Sequence, residues 1–383
     1  MSRNKSKSPK FFSEVVKELS YKGKESSPLS NITFFLGAGF SKSWDNKFPI
    51  SNELFQIDNN YWTKKTKFLF GFLTTHGLDG SLDLTPELLK QLVYQLGMYK
   101  KYPEIRPRYI DEGNISLIEA ELRKLVLSRF SEIAPLYYFD EDIGRVKINH
   151  PLNDEQESII SFFSNIQEQS TGSEGLAEGI RLNFLTTNYD LIVEAILDYT
   201  LSDGDSSFLY TYRGLTPNKI CGVEDLNLVH DNYLCNNLLK INGGFEIFKS
   251  NTGYSFDYRE SILNNCGNNP PQIMLPSFEQ DYTQDYFKAI FPKAIRLLQE
   301  SAVLVLIGYS LPEEDALLRF LIKQFAEDKE DARNKIIFYI DMMTEEEQLK
   351  RLRSVFPYSE NYPNFNIITY SGSFNDWLNE YIH

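Results

Sequence analysis

Four short stretches carry residue types that could do chemistry together. Gly37, Ala38, Gly39, Phe40 and Ser41 set two glycines around an alanine, a spacing that lets backbone N–H groups approach a pyrophosphate. Thr187, Asn188, Tyr189 and Asp190 put a carboxamide beside a carboxylate, suited to sugar hydroxyls or an ordered water; Asn188 or Asp190 could equally cap a helix starting near Leu191. Lys240, Ile241, Asn242 and Gly243 end an apolar run, and Asn-Gly followed by Gly244 before a second apolar run is a hairpin signal. Gly308, Tyr309 and Ser310 lead into Pro312, Glu313, Glu314 and Asp315. There Gly308 admits close backbone approach of a ligand, and proline with carboxylates suits a helix start. None is decisive alone. The glycine turn lacks the full GxGxxG spacing because Lys42 stands in the last glycine's place, and no GxxxxGK[ST] follows, which excludes a P-loop.

These stretches share one context, since each follows a short apolar run rich in β-branched and aromatic residues. The runs are ITFFL (32–36), LNFLT (182–186), LLKI (238–241) and AVLVLI (302–307), with KIIFYI (335–340) and FNIITY (365–370) beyond them. Several are apolar on both faces, as buried parallel strands are, and helical periodicity follows many of them. The pattern predicts an α/β fold with a doubly wound parallel sheet. In such sheets ligands bind at the carboxyl ends of the strands, which is where the four stretches fall. Residues 37–181 are far more than a crossover helix needs, and segments such as PELLKQLVYQLGMYKKY, SLIEAELRKLVLSRFSEIA and DEQESIISFFSNIQEQ carry helical spacing. A mainly helical insertion between the first and second strands is expected. STGSEG (170–175) and SDGDSS (202–207) read as surface loops.

Composition narrows the classes. Of 383 residues, 42% are hydrophobic and 14% aromatic, enough for a sizeable core. A formal net charge of −14 disfavours nucleic-acid binding through bulk charge. The one basic stretch, with Arg3, Lys5, Lys7 and Lys10, reads as a short tail. No apolar run reaches the roughly 18 residues of a membrane span, so a soluble, cytoplasmic protein is expected. Cys221, Cys235 and Cys266 form no CxxC pair and no disulfide framework.

FFLGAGFSKSWDNKFPISNELF, FLTTNYD, LLKINGG and VLIGYSLPEEDALLRFL, in that order, resemble the sirtuin (silent information regulator) family, and its divergent bacterial branch more than its protein deacylases. The resemblance covers roughly 31–60 and 180–345. It implies a Rossmann-like NAD-binding domain at 31–60 and 181–383, a helical insertion module at 61–180, and a basic tail and helix at 1–30. It further implies that Gly37, Ala38, Gly39 and Ser41 meet the phosphates of NAD+ and that Pro49 stands in the loop near the nicotinamide. Phe48 replaces a usual glycine in that loop. Asn188 would lie near the nicotinamide ribose with Thr187 and Asp190 in support, and Gly308, Tyr309 and Ser310 would line the adenosine side.

Two departures shape the functional expectation. The deacylases' zinc module needs paired cysteines that this chain lacks, so no zinc and no acyl-lysine groove are expected. What remains resembles NAD-hydrolysing effectors of bacterial antiphage defence, which cleave NAD+ to nicotinamide and ADP-ribose. The family's catalytic histidine falls at Asn242, which can orient a group but cannot take a proton. His230, Glu246 and Asp190 are other candidate bases. The alternative is a catalytically silent NAD- or ADP-ribose-binding regulatory subunit of a defence complex. Either reading implies a partner protein that senses infection, or assembly into an oligomer, with residues 61–180 as the contact surface.

Overall fold

The computed structural model describes residues 7–26, 30–78, 80–134, 137–141, 144–148, 150–168, 180–200, 211–223, 236–259, 269–362 and 364–382. Along the chain the strands are β1 (Ser30–Leu36), β2 (Tyr137–Asp140), β3 (Arg145–Ile148), β4 (Ile180–Thr186), β5 (Lys219–Cys221), β6 (Asn237–Lys240), β7 (Ile247–Ser250), β8 (Gly253–Asp257), β9 (Ser301–Ile307), β10 (Ile336–Asp341) and β11 (Asn366–Ser371). Six of them form one parallel sheet in the order β11-β10-β9-β1-β4-β6. These six are the six apolar runs. Counted along the chain, the order is 6-5-4-1-2-3, the doubly wound arrangement whose direction reverses between β1 and β9.

Helices cover both faces. On one, Lys7–Ser26, Asp154–Glu168 and Phe374–Ile382 enclose β1 and β4 with an aromatic wall in which Phe12 meets Phe162 and Trp377, and Phe34 meets Phe163 and Phe184. Edge-to-face pairs dominate it, adding to area burial. Lys7 and Lys10, expected in a tail, are exposed residues of a packed helix, and Trp377 Nε1 donates to Ser8 Oγ (3.0 Å). Helix Asp285–Gln299 lies on the other face, against β1, β6 and β9.

A polar ladder crosses the otherwise apolar strands. Asn237 Nδ2 donates to Asn183 Oδ1 (2.6 Å), Asn183 Nδ2 donates to Thr33 Oγ1 (3.1 Å), and Thr33 pairs with Ser301 (2.6 Å). Because buried polar groups are costly unless paired, this ladder penalises any slip in the register of β9, β1, β4 and β6.

The insertion has its own core. Leu54, Trp62, Leu69, Leu89, Leu96, Ile118, Leu122 and Val126 form a second apolar cluster, joined by Phe245, Ile273 and Leu275 from beyond β6. Helix Glu112–Ile133 is its centre, with a carboxylate at Glu121 accepting the N–H groups of Lys67, Phe68 and Leu69. Helix Asp154–Glu168 falls within the 61–180 span, yet its Phe162, Phe163 and Ile166 belong to the main core. Phe130 touches both cores, its ring 5.8 Å from Phe48 and 4.9 Å from Phe245.

The hairpin expected at Asn242-Gly243 does not form. β6 pairs in parallel with β4, while β7 pairs with β8 in a separate three-stranded sheet. Gly243 still turns the chain, at φ +80°, and bridges to Ile273; a Cβ there would lie 1.8 Å from the Gln272 carbonyl oxygen. The helix expected from Pro312 begins instead at Ala316, after a turn.

Candidate functional site

Backbone bonds continue one residue past each strand and hold the four stretches side by side. Gly37 N donates to Ile307 O (3.0 Å), Thr187 N to Leu36 O (3.0 Å), Ile241 N to Thr186 O (2.8 Å) and Gly308 N to Ile340 O (3.0 Å). The residues read from sequence therefore meet along the carboxyl edge of the sheet, around its reversal point.

The glycines are explained first by packing. A Cβ on Gly39 would lie 2.7 Å from Gly308 Cα, and one on Gly308, at φ +61°, would lie 2.4 Å from Phe40 N. The β1 turn and the β9 turn thus touch backbone to backbone. Gly39 N donates to Gly308 O (3.0 Å) and Phe40 N to Gly37 O (2.9 Å), whereas Ala38 N–H has no acceptor among the described residues. The expected helix is Ala38–Trp44, seven residues.

Asn188 is held in one orientation. Its Nδ2 donates to Gly37 O (2.8 Å) and to Ser41 Oγ (2.8 Å); a carbonyl only accepts, so this end of the amide is the nitrogen. Both amide hydrogens are spent inward, and Oδ1 is left as an acceptor on a half-buried side chain. Ser41 Oγ in turn donates to Asp190 Oδ2 (2.6 Å), and Asp190 Oδ1 accepts Ile192 N (3.1 Å), capping the next helix. Asp190 stands behind Ser41, buried, with both oxygens engaged and its pKa raised by that burial. Its role here is to position Ser41 and, through it, Asn188.

Asn242 is also half-buried. Its Oδ1 accepts from the Tyr282 hydroxyl (3.0 Å), which lies 2.7 Å from Gln280 Oε1 as well, and its carbonyl accepts from Met274 N (2.8 Å). Burial holds the Tyr282 phenol well above its usual range, so it stays a neutral donor. Tyr189, next to Asn188, packs its ring at 5.4 Å and a 60° tilt against Phe245, which meets Phe130 of the insertion. The insertion thereby closes one side of the crevice. Thr187 Oγ1 contacts Leu36 O (3.4 Å); Pro49 is buried beside Phe48 in the loop anchored on Phe130. Tyr309 packs on Phe35 (5.0 Å) and donates to Asp315 Oδ2 (2.7 Å), while exposed Ser310 accepts Arg351 Nη1 through its carbonyl.

Of the other candidate bases, His230 lies outside the described residues, as do Cys235 and Cys266. Glu246 is withdrawn beneath the site. It forms an ion pair with Lys240 (2.9 Å), which also reaches Glu194 (3.0 Å) and donates to Asp190 O (2.6 Å); Arg213 meets Glu194 at 3.3 Å. Burial pushes Glu246 up even beside this lysine. Burial alone would lower Lys240; the two glutamates outweigh it and hold Lys240 above the ordinary lysine range. Sequence reasoning missed this network because Glu194 sits in an apolar helical run and Arg213 in an unpatterned loop. Among the described residues no group of three or more His, Cys, Asp or Glu could hold a metal ion, and no helix is long and apolar enough to cross a membrane.

No protein-family model matches the chain, and no curated protein does. Solved structures do. The fold is similar to that of sirtuins. A structure concerning the mechanism and regulation of Sir2 enzymes matches at 11% identity and a TM-score of 0.40, covering 96% of each chain. One concerning sirtuin substrate affinity matches at 10% and 0.39, covering 97% of each. A Sir2 complex with an inhibitor, 2′-O-acetyl-ADP-ribose and a deacetylated peptide matches at 10% and 0.36, covering 96% of each.

Proposed function

We propose that the protein is an NAD+ glycohydrolase, cleaving the bond between nicotinamide and ribose with water to give nicotinamide and ADP-ribose. The observation that carries the reading is Asn188. Its amide hydrogens are tied to Gly37 O and Ser41 Oγ, so its oxygen is presented as a fixed acceptor at the reversal point of a doubly wound sheet, where dinucleotides bind. Such an acceptor suits a ribose hydroxyl or the attacking water. Nicotinamide is a cationic leaving group, so the site has only to stabilise an oxocarbenium-like ribose and position water. Loss of the cell's NAD+ as a defence against phage, under control of a partner protein or of assembly, completes the proposal. The exposed Phe70, Leu82, Ile105 and Tyr109 of the insertion support a contact surface there.

The test is release of free nicotinamide from NAD+ by the purified protein, alone and with proteins encoded beside it. Asn188→Ala is expected to lower turnover by about 10²–10³. Equal turnover in that variant, or NAD+ binding by the wild type without turnover in every assembly tried, would refute the proposal.

A further inference from the structure

Gly308 to Leu311, the turn after β9, spends its carbonyls and keeps its N–H groups. We propose that Arg351 and Arg319 are positioning residues that set the affinity for the dinucleotide by fixing this backbone, an inference that rests on the NAD+-binding part of the reading above.

Every carbonyl of the turn is taken. Gly308 O accepts Gly39 N (3.0 Å), Tyr309 O accepts the Tyr339 hydroxyl (3.0 Å), Ser310 O accepts Arg351 Nη1, and Leu311 O accepts Arg319 Nη1 (2.8 Å). The donors are not. The N–H groups of Tyr309, Ser310 and Leu311 have no acceptor among the described residues, and neither has Ala38 N–H on the β1 turn. An edge whose acceptors are all engaged and whose donors are free suits a ligand rich in acceptor oxygens, such as the pyrophosphate of a dinucleotide.

The turn stands at the reversal point of the sheet, between β1 and β9. A Cβ on Gly37 would lie 2.5 Å from Gly308 O and 2.7 Å from Tyr309 Cα, so the two turns that flank the crevice touch. Leu311 shows that the conformation is imposed. It is buried and sits at φ +50°, left-handed backbone that a leucine rarely adopts and that persists where the surroundings over-determine it.

The two arginines supply much of that constraint. Arg319 also donates through Nη2 to Ser354 Oγ, which ties the turn to helix Glu345–Val355, and Arg351 on that helix is steadied by Glu347 Oε1 (2.8 Å). A guanidinium suits the task because its fork of donors serves two acceptors at once. Each arginine acts through the carbonyl it holds.

The experiment measures ADP-ribose and adenosine affinity by calorimetry, and kcat and KM for NAD+, in wild type, Arg351→Met and Arg319→Met. Arg351→Met is expected to weaken ADP-ribose binding and raise KM by about five- to tenfold, with kcat changed by less than about twofold. Adenosine, which has no pyrophosphate, is expected to bind both proteins alike. Arg319→Met, which also loses Ser354, is expected to show the larger loss of affinity. Unchanged ADP-ribose affinity in a folded Arg351→Met, a fall in kcat at unchanged affinity, or an equal loss for adenosine overturns the assignment. Should Arg319→Met not fold, Arg351→Met decides alone, since its side chain is 31% exposed and its removal leaves no buried gap. A wild type that binds ADP-ribose but releases no nicotinamide refutes the NAD+-cleaving reading and leaves this inference standing. An active wild type with an indifferent Arg351→Met refutes this inference alone, and a wild type that binds neither ADP-ribose nor NAD+ refutes both.

Discussion

Lys240→Met is the most informative single test of how the site is supported. The lysine is 3% exposed and neutralises Glu194 and Glu246, which are 0% and 1% exposed, at 3.0 and 2.9 Å. Methionine keeps most of the aliphatic length but leaves two buried carboxylates with Arg213, at 3.3 Å from Glu194, as their remaining counter-charge. Removing one partner from a buried ion pair costs about 3–5 kcal/mol. A whole domain has about 5–15 kcal/mol in hand, so urea unfolding followed by tryptophan fluorescence should show a large shift in midpoint. The loss should depend on pH. Glu246 already titrates above the ordinary carboxylate range because it is buried, and without Lys240 it rises further. A carboxyl whose folded pKa exceeds its unfolded value stabilises fully below the unfolded value and loses that contribution as pH rises through the folded one. The deficit of Lys240→Met is therefore smallest near about pH 4.5 and widest at neutral pH and above. Adding Glu246→Gln should recover about half the loss or more, since the two sites are in contact. A loss below about 1 kcal/mol, or one indifferent to pH and to Glu246→Gln, would refute the network.

Two further outcomes follow from the crevice. Gly39→Ala forces a Cβ to 2.7 Å from Gly308 Cα and should cost about 1–3 kcal/mol in urea unfolding; a neutral result would mean the two turns are not in contact. Asn242→His sets an imidazole beside Tyr282, at the position where the resemblance implies a base, and should raise nicotinamide release by about 10²; an unchanged rate would refute a role for that position in the proposed chemistry.

The central sheet was legible because its inner strands are buried on both faces and so read as unbroken apolar runs, while the edge strand FNIITY, largely half-buried apart from Tyr370, is still rich in β-branched and aromatic residues. That the four polar stretches fall at one edge of the sheet was legible for the same reason, since they follow those runs. Local pattern could not say which strand pairs with which. Asn242-Gly243 looks like a hairpin, and only the parallel pairing of β6 with β4, fixed by distant residues such as Asn183 and Asn237, removes that option. Strands β2, β3, β5 and β8 went unseen because they are three to five residues long and mixed in burial, and the run that becomes β7 pairs with β8 rather than with the run before Asn242. The direction of a side chain was equally hidden. Asp315 carries every sequence mark of a cap, yet its carboxylate turns to Tyr309.

The insertion's core has a consequence for how the chain is made. Leu54 through Leu127 arrive early from the ribosome, but Phe245, Ile273 and Leu275, which complete their packing, arrive much later, and Gly308 and Asp315 later still. At about 5–20 residues per second, the module waits many seconds with apolar faces uncovered. Nascent chains are therefore exposed to proteases and holding chaperones during that interval. The same order sets when the crevice is built: a chain interrupted before β9 lacks the turn against which Gly39 packs, so an unfinished copy has no assembled crevice.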